Sequence, residues 1–263
     1  MNRSFQILST DLLNSFEKRI DFDVLDSLGK IQKAELPTEY FAFYRSVSSV
    51  YSARIEGEEI DFDSFFKHKF LKVEYATDYT ARTNDLYSAY EFIDGYDLSL
   101  EGLKQAHAIL SRNMLPKAHQ GALRKNPMFV INNEERIEYV AADCAIIEKE
   151  LSKLFADIDK LLLSELSLTE TFFFAALIHL VFVKIHPFQD GNGRSARLLE
   201  KWFLISKIGK NAVSIQLEKN YYLQRSEYYT NIRKLGLEYE TLNYNTALDF
   251  LLMTVFGLKK QLN

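Results

Sequence analysis

The chain has 263 residues and a formal net charge of −4; 47% of its residues are hydrophobic and 26% are charged. This balance is typical of a globular protein with a sizeable core and excludes a disordered or low-complexity chain. The negative charge disfavours a general nucleic-acid binder, and the single cysteine, Cys144, excludes a disulfide framework or a cysteine-based zinc site. We expect a cytoplasmic protein with no nucleic-acid or membrane partner, because no signal peptide or membrane-spanning run is apparent.

The first hundred residues show apolar positions at helical spacing. The spacing predicts helices over residues 8–20 and 25–31. Pro37 and Thr38 are predicted to begin a third helix, which Gly57 ends as a C-terminal cap. A fourth helix is predicted over residues 75–93. The N-terminal region is therefore expected to be a set of amphipathic helices.

The second half keeps the helical pattern around one β-prone interruption. Ser99 is predicted to cap a helix, and residues 129–131 and 137–140 are predicted to form a hairpin. Helical spacing returns over residues 146–163, 169–184, 195–208 and 241–260. Within these helices His179 is expected in the core, and Lys201 and Lys207 are expected at solvated positions. The sequence predicts a mainly α fold with one short hairpin.

Residues 186–197 read HPFQDGNGRSAR and carry the most informative pattern in the chain. A glycine-rich loop leads here into the first turn of a helix, where backbone N–H groups and the helix dipole favour a bound anion. Gly191 and Gly193 permit backbone angles that side chains forbid. Arg194 and Arg197 lie one turn apart, at a helix start where a cation is disfavoured by about 0.3–1 kcal/mol. A bound polyphosphate would reverse that penalty.

Two further side chains of this segment suit phosphate chemistry. Asp190 precedes the loop glycines and could coordinate a Mg²⁺ ion that bridges phosphates. His186 lies four residues earlier and is a suitable proton acceptor near neutral pH. A glycine-rich helix entry with surface arginines is the alternative for the glycines alone, but not for the whole constellation.

The segment matches the Fic family pattern H-x-F-x-[D/E]-G-N-G-R-x-x-R at every specified position, and the chain resembles that family over residues 95–235. The resemblance implies a Fic-type helical bundle with a hairpin, the flap, beside the active site; residues 121–140 match the flap and include Arg124. It further implies transfer of AMP from ATP, with Mg²⁺, to Ser, Thr or Tyr hydroxyls of target proteins and of the enzyme itself, with release of pyrophosphate.

The resemblance also assigns roles to the residues that match the motif. His186 corresponds to the general base and Asp190 to the Mg²⁺ ligand, and Phe188 anchors the loop. The remaining motif positions are implied to hold the phosphates: Gly191, Asn192, Gly193, Arg194 and Arg197. Tyr228 and Tyr229 lie in the region where family members contact adenosine, although packing is the more common role of such a pair.

A second pattern lies near the end of the third predicted helix. Residues 52–57 read SARIEG and match the inhibitory motif [S/T]-x-x-x-E-[G/N] of the family. Glu56 sits in a last helical turn, where a carboxylate is unfavourable; from the residues alone, a solvated glutamate beside Glu58 and Glu59 stays open. The resemblance implies that Glu56 pairs with Arg197 and blocks the γ-phosphate site, with Ser52 steadying the helix and Gly57 ending it.

These patterns predict a helical region over residues 1–95 that includes the inhibitory helix at about 38–57, a catalytic core over 96–235, and a C-terminal helix over 236–263 packed on the core. The strand of Phe129, Val130 and Ile131 could dock a target by strand addition, or the hairpin could simply cover the core; both interpretations stay open. The family often dimerises, and the N-terminal helices could form that interface. Two alternatives to an autoinhibited AMP transferase stay open: a nucleotide-binding regulatory module, and a bifunctional enzyme that also removes AMP.

Overall fold

The computed structural model describes residues 4–32, 39–131 and 135–261. Its strands are β1 (Phe129–Ile131) and β2 (Ile137–Val140). Its α-helices, in chain order, are α1 (Leu13–Arg19), α2 (Val24–Gln32), α3 (Tyr40–Ile55), α4 (Phe62–Leu71), α5 (Thr77–Phe92), α6 (Leu100–Leu110), α7 (Ile147–Leu163), α8 (Leu168–Ile185), α9 (Asn192–Ile208), α10 (Leu217–Leu223), α11 (Arg225–Arg233) and α12 (Leu248–Gln261). The mainly α fold with one small hairpin is confirmed. Residues 37, 38 and 132–134, predicted to begin a helix and to form the hairpin turn, lie outside the described residues.

α8 is the central helix of the fold and packs against α7, α9 and α12. Ser167 begins it with a capping box, in which its hydroxyl accepts from the Glu170 N–H and the Glu170 side chain accepts from the Ser167 N–H. Within the described residues it is the one helix long and apolar enough to cross a membrane, but 83% of it is buried inside the protein. Its apolar surface therefore forms the core.

α3 packs against α5, α9 and α10, and its buried face carries small polar side chains as well as apolar ones. Ser46, Ser48, Ser49 and Ser52 are all buried on this helix. The Ser48 hydroxyl donates to the Glu218 carboxylate of α10 at 2.9 Å. Small side chains let helices approach closely, and each buried hydroxyl needs a partner. The Ser48 contact therefore adds a polar link between α3 and α10 to their packing.

The hairpin lies beside the end of α8. β1 and β2 are antiparallel, with Phe129 opposite Val140 and Val130 opposite Tyr139. The Val140 N–H also donates to the carbonyl of Leu237, so β2 is held on both sides. Among the described residues β1 has no second neighbouring strand. β1 is therefore the edge strand of the hairpin.

Two predicted helices are shorter than expected. The first begins at Leu13 rather than residue 8, because the N–H groups of Gln6, Ile7 and Leu8 bind the buried Asp157 carboxylate at 2.8–3.0 Å. The last begins at Leu248 rather than residue 241. Residues 239–246 form two 3₁₀ turns instead, because local polar side chains such as Asn243, which accepts from the Asn245 N–H, compete with the helix.

The solvated positions expected for Lys201 and Lys207 are also wrong. Lys201 is fully buried and pairs with Glu218 at 3.4 Å. Lys207 donates to the carbonyls of Leu161 and Ser164 at the end of α7. Both lysines therefore satisfy buried acceptors of neighbouring helices, which only the packing reveals.

Candidate active site

The loop between α8 and α9 adopts a tight turn held by its own residues. His186 ends α8 in the left-handed region, with φ 54° and ψ 58°, and Gly191 precedes α9 with φ 78°. The Asn192 side chain donates to the Phe188 carbonyl and accepts from the Phe188 N–H, both at 2.8 Å. The Asn192 side chain is thus used within the loop, and its backbone N–H, the first of α9, has no acceptor within the helix.

The His186 ring has one nitrogen engaged. Its Nδ1 lies 3.1 Å from the Val183 carbonyl, which can only accept, so Nδ1 carries the proton and Nε2 the lone pair. Burial, assisted by the positive charge of Arg124, lowers the pKa of His186 to about 4. The imidazole is therefore neutral at neutral pH and able to accept a proton through Nε2.

Arg124 fixes the backbone of His186. Its Nε donates to the His186 carbonyl at 2.7 Å, and its Nη atoms donate to the carbonyls of Asn126 and Ala142. The Arg124 N–H also donates to the Pro187 carbonyl at 2.9 Å. A non-glycine residue in the left-handed region is strained by on the order of 1–3 kcal/mol. The hydrogen bonds of the guanidinium offset this strain and join the base of the hairpin to the loop between α8 and α9.

His107 of α6 packs against the loop between α8 and α9 and holds it in place. The sequence did not indicate this role. Its ring stacks on Phe188 with centroids 3.6 Å apart. Its Nδ1 accepts from the Gly121 N–H and its Nε2 donates to the Asp190 carbonyl, both at 2.9 Å. Burial lowers its pKa to about 4. The one sequence signal was a histidine on the apolar face of its helix, which is also typical of a core residue.

Arg197 is fully buried and donates three hydrogen bonds to Ser52 and Glu56 at the end of α3. Its Nε donates to the Ser52 hydroxyl at 2.9 Å, and its Nη2 donates to the Ser52 carbonyl at 3.1 Å and to Glu56 Oε1 at 2.7 Å. Its Nη1 donates to the Tyr228 hydroxyl at 3.3 Å. The structure therefore brings Ser52 and Glu56 onto the second arginine of the loop motif.

The electrostatics of this pair favour both charges. Burial opposes ionisation of Glu56, but the charges of Arg197 and Arg194 outweigh it and hold the pKa of Glu56 below its usual range. Burial likewise opposes the charge of Arg197, and the Glu56 carboxylate more than offsets it, so the pKa of Arg197 is raised. The two groups form a charged pair with the Glu56 side chain 27% exposed at the cavity.

A second carboxylate binds the first arginine of the motif. Glu58 Oε1 lies 2.5 Å from Nη2 of Arg194, and both side chains are largely buried. Glu58 lies two residues beyond Glu56, just after the end of α3. Nothing in the local sequence distinguishes Glu58 from Glu59, which is exposed.

The Glu56 carboxylate lies directly against the N-terminal turn of α9. A Cβ atom on Gly193 would lie 2.5 Å from Glu56 Oε1 and 3.2 Å from Nη1 of Arg197. Glycine at this position lets a negatively charged oxygen approach the backbone closely. The first turn of a helix together with an arginine is a site that binds anions, and here a carboxylate of the same chain occupies it.

Asp190 offers one carboxylate oxygen that could hold Mg²⁺. Its Oδ1 accepts from the Gly191 N–H at 2.6 Å, while Oδ2 has no partner among the described residues. Within that part of the chain no group of three or more His, Cys, Asp or Glu side chains could hold a metal ion. Mg²⁺ is usually held by one or two carboxylates plus substrate phosphates and water, so the residues present fit that ion beside a bound triphosphate.

Tyr228 and Tyr229 of α11 lie at the same site with their hydroxyls engaged. The Tyr228 hydroxyl, besides accepting from Arg197, lies 3.0 Å from Nε2 of His179, whose Nδ1 is 2.6 Å from Glu200. Tyr229 donates to the carbonyl of Ile55 at 3.2 Å. His179 is fully buried, as expected. Contact of the two tyrosines with adenosine stays a prediction.

The Fic/DOC family profile matches residues 97–204, a range that contains His107, Arg124 and the whole loop described above. The chain is a Fic-domain protein. Its fold is similar to that of a Fic family protein from Desulfovibrio desulfuricans G20, with a TM-score of 0.76 and 16% identity over 99% of this chain and 77% of the other.

Two further solved structures share the fold with this Fic-domain protein. One is a Fic domain-containing signaling protein from Bacteroides thetaiotaomicron VPI-5482, with a TM-score of 0.65 and 18% identity over 91% of this chain and 94% of the other. The second is a Fic-1 fragment from C. elegans, with a TM-score of 0.65 and 16% identity over 96% and 71% of the two chains. The likeness extends over the N-terminal helices as well as the Fic domain.

The site of this Fic-domain protein opens into a cavity of about 630 Å³. Its lining joins the hairpin, the last turn of α8, the start of α9, α11 and Glu56. Val130 and Ile131 of the predicted docking strand lie on this lining, whereas Phe129 is exposed and is not part of it. The predicted base, anion-binding loop and inhibitory glutamate thus surround one space, which has room for a nucleotide.

Proposed function

We propose that this Fic-domain protein transfers AMP from ATP to the hydroxyl of a Ser, Thr or Tyr residue in a target protein or in itself. The observation that carries the proposal is the neutral imidazole of His186 beside an anion-binding helix start with two arginines. A family relationship alone indicates a transferase in general. The pairing of a proton acceptor with a phosphate cradle is what favours transfer of a phosphorus-containing group.

The chain supplies the parts of such a reaction as follows. The N–H groups of the loop and the guanidiniums of Arg194 and Arg197 bind the triphosphate. Nε2 of His186 accepts the proton of the target hydroxyl as its oxygen attacks the α-phosphorus, and the bond to the pyrophosphate oxygen breaks. Asp190 holds the Mg²⁺ ion, which neutralises phosphate charge when bound. Positioning and charge stabilisation then supply most of the rate enhancement.

The target would present its hydroxyl on an extended segment. β1 is an edge strand whose Phe129 and Ile131 are 49% and 60% exposed. An extended peptide can add to such an edge by main-chain hydrogen bonds, with little demand on its own sequence. Because β1 also borders the cavity, a segment bound there would lie beside His186. Strand addition is the docking mode that this arrangement supports.

The same geometry supports autoinhibition by the chain itself. Glu56 and Glu58 neutralise Arg197 and Arg194, the two guanidiniums proposed to bind phosphate. A triphosphate bound in full would have to displace both carboxylates. The protein as described would therefore be held in a resting state, and movement of residues 56–58 would release it.

Incubation with ATP labelled at the α-phosphate tests this function. We expect weak self-labelling of the wild-type protein, strong labelling of Glu56→Gly, and none of a Glu56→Gly/His186→Ala double variant. Mass spectrometry should find AMP on a hydroxyl residue. Glu59→Gly is the matched control, because Glu59 is exposed and lies on the same segment. Nucleotide binding without label in Glu56→Gly would instead indicate a regulatory nucleotide-binding module.

A further inference from the structure

Lys184, in the last turn of α8, is a largely buried cation that has no counter-ion among the described residues. Its residue is 2% exposed, and its ammonium nitrogen lies 4.0 Å from the centre of the Tyr139 ring. Across residues 4–32, 39–131 and 135–261 no hydrogen-bond acceptor or carboxylate lies within bonding distance of that nitrogen. Burial lowers the pKa of Lys184 to about 8. A ring face compensates only part of the cost of removing an ammonium group from water.

Lys201, the fully buried lysine described above, is an example of a cation with a structural role in this protein. Lys201 has Glu218 at 3.4 Å and the Ile215 carbonyl as an acceptor. Buried charges are normally paired in this way, because an unpaired one weakens the fold. A lysine kept unpaired at a site where an apolar side chain would be more stable is typical of a residue retained for function.

Lys184 lines the cavity at its hairpin wall. The contact with Tyr139 joins it to β2, the inner strand, and Val130 of β1 and Ile232 of α11 line the same cavity. Arg194 and Arg197, which are proposed to bind phosphate, instead contact residues of α3 and the segment that follows it. The ammonium group therefore belongs to a different wall of the cavity from the proposed phosphate site.

The inference drawn from this position rests on the proposed function. When the phosphates occupy the start of α9, the ribose and base must extend into the remaining space between the hairpin and α11. Val130 and Ile232 offer apolar surfaces to the faces of a planar ring, and every nucleobase carries acceptor atoms on its edges.

We propose that Lys184 is a specificity-determining residue that donates a hydrogen bond from its ammonium group to an acceptor atom on the nucleobase edge. The nucleobase thereby supplies the hydrogen-bond acceptor that the described residues do not offer to the Lys184 ammonium group. The lysine thereby makes the affinity of the cavity depend on which base the nucleotide carries.

Calorimetric titration in the Glu56→Gly background tests this with Mg²⁺ and four ligands: ATP, GTP, UTP and base-free ribose 5-triphosphate. Lys184→Met keeps the length of the side chain and removes the donor. We expect it to weaken binding of the preferred nucleotide about tenfold, the loss typical of one charge-assisted hydrogen bond, and to leave the base-free triphosphate unchanged within about twofold. Lys125→Met, at an exposed position near the hairpin, controls for the lost charge.

Thermal unfolding supplies a second readout. Lys184→Met should raise the melting temperature without ligand, because it removes a desolvated charge; a structural lysine would show the opposite. Equal weakening of all four ligands would make Lys184 a phosphate contact and overturn the inference, as would unchanged binding of every nucleotide. Absence of binding by any triphosphate, base-free included, would refute the proposed function itself and the inference with it.

Discussion

The carboxylate of Glu56 accepts a hydrogen bond of 2.7 Å from Nη2 of Arg197, although the two residues lie 141 positions apart in the chain. Glu56 is electrostatically misplaced at the C-terminal end of α3, and Arg197 is a fully buried cation in the second turn of α9. Together they neutralise each other. The contact at the proposed phosphate site thus also stabilises the fold in the absence of nucleotide.

Removal of Glu56 should therefore cost stability in the absence of nucleotide. We expect Glu56→Gly to lower the free energy of unfolding by about 2–3 kcal/mol, because Arg197 is left buried without its carboxylate. Urea denaturation measures this value. Mg-ATP should then raise the unfolding midpoint of Glu56→Gly more than that of the wild type, since the phosphates replace the lost carboxylate. Equal midpoints with and without Mg-ATP in the variant would contradict the assignment.

Glu58 should contribute a separate part of the inhibition. With Glu56→Gly as the background, Glu58→Gln frees Arg194, and we expect the affinity for Mg-ATP to rise a further three- to tenfold, about the effect of one charge-assisted contact. Calorimetry gives the affinities. Glu59→Gln in the same background is the matched control and should change nothing. If Glu58→Gln also changes nothing, Arg194 does not bind phosphate.

The pH dependence of self-modification should reflect the environment of His186. Its pKa of about 4 lies below the ordinary value of 6.5, so the imidazole stays unprotonated, and competent as a base, down to about pH 5. In Glu56→Gly the pH at which the rate falls on the acidic side should be no higher than in the wild type. The Glu56 charge is one of the influences that raise the pKa of His186, and the variant lacks it. Initial rates at saturating Mg-ATP from about pH 4.5 to 8 measure it. An acidic midpoint near 6.5 would count against an imidazole buried in this way.

His107 should support both the fold and the loop. His107→Phe keeps a ring that can stack on Phe188 but leaves the Asp190 carbonyl and the Gly121 N–H unpaired. We expect the free energy of unfolding to fall by about 2–4 kcal/mol, the cost of two unsatisfied buried groups, and the affinity for Mg-ATP to fall with it. His119→Phe, at an exposed position, is the control. Unchanged unfolding of His107→Phe would show that the two groups find other partners.

Much of the helical architecture could be predicted because it depends on local periodicity. The spacing of apolar residues located α5, α7, α8 and α9 to within a few residues. The spacing did not predict the helix starts at which side chains accept hydrogen bonds from backbone N–H groups. Asp157 binds the N–H groups before α1, and Asn243 favours a turn before α12. α4 has no counterpart among the predicted helices. Such contacts leave no periodic signal in the chain.

The sequence alone determined that a glycine-rich loop ends one helix and begins another, and that histidine, aspartate and two arginines accompany it, because these features are adjacent in the chain. Only the tertiary structure decided that Glu58 neutralises Arg194, that His107 and Arg124 hold the loop, and that Lys184 is largely buried with no counter-ion among the described residues. The reason is physical: the free energy of a buried charge depends on its neighbours in space, and those neighbours come from helices far apart along the chain.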